Sequence, residues 1–143
     1  MLALVFLLSG CGAAQTQASP SPRPSPLPQT FTVNGAITLN QGDFISAADD
    51  SCVGTGGYDD LQPGAQVVIT DPTSTTVAVG QITAGSVIGD DDGIQSCVLG
   101  FKVEDVPSGK KFYGVEVTHR GRLQYSEDEV QRSELDPLKL TIG

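Results

Sequence analysis

The chain is 143 residues long and carries 17 acidic against 8 basic side chains, a net charge of −9 near neutral pH. That surplus of acid excludes nucleic-acid binding, which needs a basic face to displace phosphate counterions, and disfavours docking on anionic lipid headgroups. The charge is unevenly spread: nine Asp and no Lys or Arg lie between Phe31 and Phe101, whereas Lys102–Gly143 holds seven basic and eight acidic residues.

The first element in chain order is the apolar run Leu2–Leu8. It has the length of a signal-peptide core and is too short to span a bilayer. Leu8-Ser9-Gly10-Cys11 follows, an aliphatic residue, two small ones and a cysteine. These four residues resemble the lipobox of bacterial lipoproteins. The resemblance implies that residues 1–10 are a signal peptide cut before Cys11. It also implies that the Cys11 thiol carries diacylglycerol, which makes the cell membrane, on its extracytoplasmic side, the first partner. No Lys or Arg precedes the apolar run, although a signal peptide begins with a basic region. We therefore expect the true start upstream of Met1.

Residues 11–30 hold the lipidated cysteine and a linker in which prolines alternate from Pro20 to Pro28. Proline fixes φ and removes backbone donors, so neither helix nor sheet is expected. An extended polyproline II stalk of up to roughly 60 Å would separate lipid from folded domain. With Cys11 lipidated, Cys52 and Cys97 remain as an even pair in an oxidising compartment and are expected to form a disulfide. Closing so long a loop stabilises by about 4 kcal/mol in chain-entropy terms.

Residues 31–143 are expected to form one domain. Phe31, Val33, Ile37 and Leu39 alternate with polar residues and predict a half-buried strand. Pro63-Gly64 reads as the centre of a type II turn, and leads into a strand with Val67 and Ile69 in phase. A third strand carries Val77 and Val79 on one face. In a fourth, Cys97, Leu99, Phe101 and Val103 point one way. After a turn at Pro107-Ser108-Gly109, Tyr113, Val115 and Val117 share a face. A turn at His119–Arg122 leads to a strand over "RLQYS", and Leu138, Leu140 and Ile142 suggest the last. Ser126 and Glu129 have capping-box spacing, predicting a helix of one or two turns. Short strands separated by Gly and Pro predict an all-β sandwich of about seven strands with one short helical turn.

The stretch "CVGTGGYDDL", the later Cys97, "FKVEDVPSGKKFYGVEVTHRG" and "YSEDEV" are similar to a domain of uncharacterised actinobacterial envelope lipoproteins. The similarity spans most of Asn34–Gly143 and implies an envelope location. A weaker resemblance, to transthyretin-like and carboxypeptidase-regulatory-like sandwiches, implies an Ig-like or transthyretin-like arrangement.

Candidate chemistry is sparse. His119 is the single histidine and would have to be the base of any hydrolytic triad, yet no G-x-S-x-G elbow presents a serine. The cations Arg120 and Arg122 beside it would disfavour its charged form. Paired carboxylates could hydrolyse glycosides, but the chain has no Trp to build a stacking wall. The glycines of "GTGG" lack the following helix and Lys of a phosphate loop. Asp49, Asp50, Asp59, Asp60, Asp90, Asp91 and Asp92 fall in three loops. If these converge they could ligate calcium, the one cofactor the composition suggests. The plainer reading is solvated acidic loops. Tyr58, Asp59 and Asp60 stand in a glycine-rich loop tied at Cys52 and suit a protein contact. The expected function is a non-catalytic binding or scaffold protein of the bacterial cell envelope, with an envelope protein or small ligand as partner. The alternative is a calcium-binding or small-ligand-carrying envelope module, and a hydrolase comes third.

Overall fold

The computed structural model describes residues 29–93 and 95–141. The lipobox-like Leu8–Cys11, Cys11 itself, nearly all of the Pro-rich linker and Ile142 lie outside the described residues. The chain order is β1 (Thr30–Leu39), β2 (Phe44–Ser46), β3 (Cys52–Gly54), a 3-10 turn (Gly56–Tyr58), β4 (Gln66–Thr70), β5 (Thr76–Gly89), β6 (Gln95–Pro107), β7 (Phe112–Val117), β8 (Arg122–Ser126), α1 (Glu127–Arg132) and β9 (Leu138–Leu140).

The expected all-β sandwich is present, and its two layers are halves of one curled sheet. Seven strands pair in the order β8-β7-β4-β5-β6-β1-β9, and β2 and β3 form a small separate hairpin. All neighbours are antiparallel except β1 and β9. The curl is visible in one contact. Phe31 of β1 meets Tyr113 of β7 edge to face at 5.6 Å between ring centroids, although β4, β5 and β6 lie between those strands in the sheet. The concave side is therefore the core. Val33, Ile37 and Leu39 of β1 face it, as do Cys97, Leu99, Phe101 and Val103 of β6 and Tyr113, Val115 and Val117 of β7. These are the alternating sets read from the sequence, because a strand with one wet face buries every second side chain.

The seam between the sheet ends is closed by α1. Ser126 caps it: its hydroxyl accepts from the Glu129 amide, and the Glu129 carboxylate accepts from the Ser126 amide. Val130 is fully buried beneath the helix. Just past its end, Ser133 Oγ accepts from the Asn34 amide at 3.0 Å and Glu134 from the Thr32 amide at 3.3 Å. These bonds satisfy the half of β1 that β9 does not reach, since β9 pairs only with Gly35–Ile37.

Two elements differ from expectation. The third strand runs through to Gly89, well past Ile82. A register shift between Ile82 and Ala84 changes its phase, so Ile82 and Gly85 are both buried. Val79, expected on the apolar face, lies before the shift and is 52% exposed because it pairs with Val68, on the side opposite the buried Val67 and Ile69. A bulge of this kind breaks the period-two signal that sequence reading relies on. The β2–β3 hairpin is also new; with three residues per strand it is too short to show a period.

Candidate functional site

Cys52 and Cys97 are disulfide-bonded, with Cα atoms 6.0 Å apart across 45 residues of sequence. Both are buried. The bridge fastens β3 to β6 and fixes the start of the loop Cys52–Leu61. The loop's other end is held from within. The Gly54 amide donates to Leu61 O at 2.9 Å, the Leu61 amide to Tyr58 O at 2.9 Å, and the Leu61 side chain is fully buried.

A cation from far along the chain completes the fastening. Arg120, in the β7–β8 turn, donates through Nε to Asp60 Oδ2 at 3.1 Å and through Nη2 to Asp60 Oδ1 and Gly57 O. Its guanidinium lies over the Tyr58 ring, 4.8 Å from the centroid, a cation–π arrangement. Thr118 Oγ1 donates to Asp60 Oδ2. The bidentate Arg120 bond, aided by Thr118, holds the Asp60 carboxyl below its ordinary value despite partial burial. The same bond raises Arg120. Thr118 and His119 both have positive φ, 48° and 67°. For a β-branched residue this is costly, and the bonds to Asp60 hold the turn there.

The anticipated contact residues therefore divide. Asp60 and Tyr58 are occupied by Arg120, and Asp59 is exposed. Arg120 is the residue sequence reading missed. A signal did exist: with no Lys or Arg between Phe31 and Phe101, any cation for these acids had to come from Lys102 onward.

The seven aspartates do not come together as the cation site considered from the sequence. Among the described residues no group of three or more His, Cys, Asp and Glu could hold a metal ion. Asp60 is bound to Arg120 at the β7–β8 turn, and Asp59 is its neighbour. Asp49 accepts from the hydroxyl and amide of Ser51, which lower its pKa, and the Asp50 carbonyl ties the same turn to β5 by accepting from the Val87 amide. Asp90, Asp91 and Asp92 lie at the tip of the β5–β6 hairpin, where the Asp92 amide donates to Asp90 Oδ1.

His119 is exposed, with no hydrogen bond or ion pair among the described residues. It lines a shallow cleft with Asp60, Gln62, Gln66 and Thr118, and no serine or cysteine shares that cleft.

Beside the disulfide lies a different cleft, of about 290 Å³. Ile45, Ala47, Val53, Pro63 and Ala84 supply its apolar wall, with Cys52 and Gly85 at its base and no charged side chain. Gly85 is required there: a Cβ on it would stand 2.2 Å from the Cys52 carbonyl oxygen and 2.7 Å from Leu99 Cδ2. Ile45, on the rim, is 60% exposed. The turn Ala47–Ser51 forms one side, closed by the Ala47 amide donating to Ser51 O at 2.8 Å, and carries exposed Asp49 and Asp50.

No protein-family model, curated protein or solved structure matches this chain. The class that the fold and site define is an all-β sandwich-like domain with a disulfide-fastened loop beside an apolar cleft.

Proposed function

We propose that the chain is a lipid-anchored, extracytoplasmic binding protein of the bacterial cell envelope that acts without catalysis. The observation that carries this reading is the apolar cleft beside the Cys52–Cys97 bridge. Its volume sits at the lower end of the roughly 300–1,000 Å³ range of ligand pockets, so it suits one inserted side chain better than a whole cofactor. Its wall is uncharged, and Asp49 and Asp50 are exposed in the turn between two of its lining residues, Ala47 and Ser51. The complementary partner is an envelope protein segment with an apolar side chain flanked by Lys or Arg. The lipobox-like Leu8–Cys11 and the disulfide support an oxidising location, and the Pro-rich linker supports display at a distance from the lipid.

The test uses the full chain in its native envelope with a photo-crosslinking residue at Ile45 or, as control, at Lys111. The reading expects one discrete protein adduct from Ile45, absent from Lys111 and lost when Ala84→Asp is added. No adduct, or equal adducts from both positions, overturns it. Anchoring is tested separately: Cys11→Ala should move the protein out of the membrane fraction and remove the lipid mass. Unchanged membrane association would contradict the anchor.

A further inference from the structure

A second cleft, sharing no residue with the apolar one, lies on the outer face of β4, β7 and β8. It measures about 230 Å³; Thr70, Ser74, Phe112, Gly114, Arg122 and Gln124 line it, with Asp71 and Pro72 completing the lining. Cross-strand register sets its floor: Thr70 pairs with Gly114, and Gly114 with Gln124, in one row across three strands. Thr70 is only 2% exposed, and its hydroxyl has no hydrogen-bond partner among the described residues. Buried hydroxyls are ordinarily paired, so one left over beside a cleft points to a ligand.

Gly114 shows what covers that hydroxyl. A Cβ on Gly114 would stand 2.5 Å from Thr70 Oγ1 and 2.3 Å from Arg122 Cδ. The methylene stem of Arg122 thus rests on the bare glycine backbone next to the Thr70 hydroxyl. Its head donates to Ser74 Oγ at 2.8 Å. An exposed arginine changes rotamer in picoseconds to nanoseconds, so a turn of Arg122 uncovers the hydroxyl without moving the sheet. Phe112, 46% exposed, supplies an aromatic wall.

We propose that this cleft binds a neutral saccharide ring. The ring's C–H face would lie on Phe112, and its hydroxyls would bond Thr70 Oγ1, Gln124 and the Arg122 guanidinium. Charge decides against an anion. Arg122 already lies 3.9 Å from Glu116, and the nearby Lys110 lies 3.8 Å from Asp71. Each local cation has its acid, and the whole chain is acidic. A ligand rich in hydroxyls, each able to donate and accept, suits such a balanced set. The volume exceeds the roughly 150 Å³ that admits benzene, leaving room for a substituted six-membered ring.

The experiment is an amide NMR titration of the full chain with the neutral disaccharides cellobiose, maltose and di-N-acetylchitobiose. Glucuronate and inorganic phosphate serve as anionic arms. The proposal expects saturable shifts at Thr70, Gly114 and Gln124 with at least one neutral disaccharide, weakened at least tenfold by Phe112→Ala and by Thr70→Val. Thr70→Val removes an unpaired buried hydroxyl and should leave the melting temperature unchanged or raised, so its loss of binding cannot be ascribed to unfolding. No saturable shift with any neutral disaccharide, binding by the anions alone, or binding indifferent to both substitutions overturns it.

Discussion

Two stretches of this chain look alike on paper. Gly54–Asp60 and Gly89–Gly93 are both glycine-bearing, acidic and free of Lys and Arg. In the first, the acid at its end is bound by a guanidinium 60 residues away, its tyrosine lies under the same cation, and a disulfide stands at its start. In the second, the Gly93 amide donates to Asp90 O at 3.1 Å and the Asp92 amide to Asp90 Oδ1 at 3.1 Å, closing the β5–β6 hairpin tip. Composition sets what a loop can do. In Gly54–Asp60 it is Arg120, far along the chain, that makes the loop a fixed surface.

The largest break in this contrast should come from the disulfide. Replacing both Cys52 and Cys97 by Ala frees a loop of 45 residues. Chain-entropy arguments put the loss at about 4 kcal/mol. For a domain of this size that is on the order of a 15–30 °C fall in melting temperature, measurable by calorimetry.

Asp60→Asn should cost less. Charge-assisted hydrogen bonds contribute about 1.5–3 kcal/mol, but the Asp60 side chain is 38% exposed, so screening reduces this to roughly 1 kcal/mol. The loss has a pH signature. The Arg120 bond lowers the Asp60 pKa below 3.8, so its stabilisation is complete above the unfolded value and fades as pH falls through the lowered folded one. Stability curves of the wild type and Asp60→Asn should therefore converge below about pH 4 and stay parallel above about pH 5.

Much of this was legible beforehand, for physical reasons. β1, β6 and β7 alternate because one face meets the core, and the Ser126–Glu129 box needs only four consecutive residues to be seen. The Pro63–Gly64 turn is equally local; Gly64 has φ +90° and the Ala65 amide returns to Gln62 O. What was not legible is long-range or out of phase. The bulge at Ile82–Ala84 hid the second half of β5, and the inward position that follows is Gly85, kept bare by the Cys52 carbonyl. Arg120 reaches Tyr58 and Asp60 only through the fold, and so the clamp could not be read from either stretch alone.

The helical seam gives an expected effect of similar size to Asp60→Asn. Ser126→Ala removes the acceptor for the Glu129 amide and should destabilise by about 1 kcal/mol, a few degrees in a melt. Smallest of all is the hairpin tip. Because no group of three or more acidic side chains among the described residues could hold a metal ion, calcium and ionic-strength-matched sodium chloride should shift the melting temperature alike, and Asp91→Asn should change stability by less than about 0.5 kcal/mol. A calcium-specific rise lost in Asp91→Asn would restore the metal reading.

The fastened loop beside the cleft is the feature on which the account turns, and native-state hydrogen exchange tests it directly. The amides of Gly54 and Leu61, bonded to Leu61 O and Tyr58 O, should be protected far above those of Asp92 and Gly93. Arg120→Ala should cut protection at Gly54 and Leu61 at least tenfold while leaving Leu99 and Val115 in the core unchanged. If Gly54 and Leu61 exchange as fast as Asp92 in the wild type, or if Arg120→Ala leaves them untouched, the loop is not the fixed surface described.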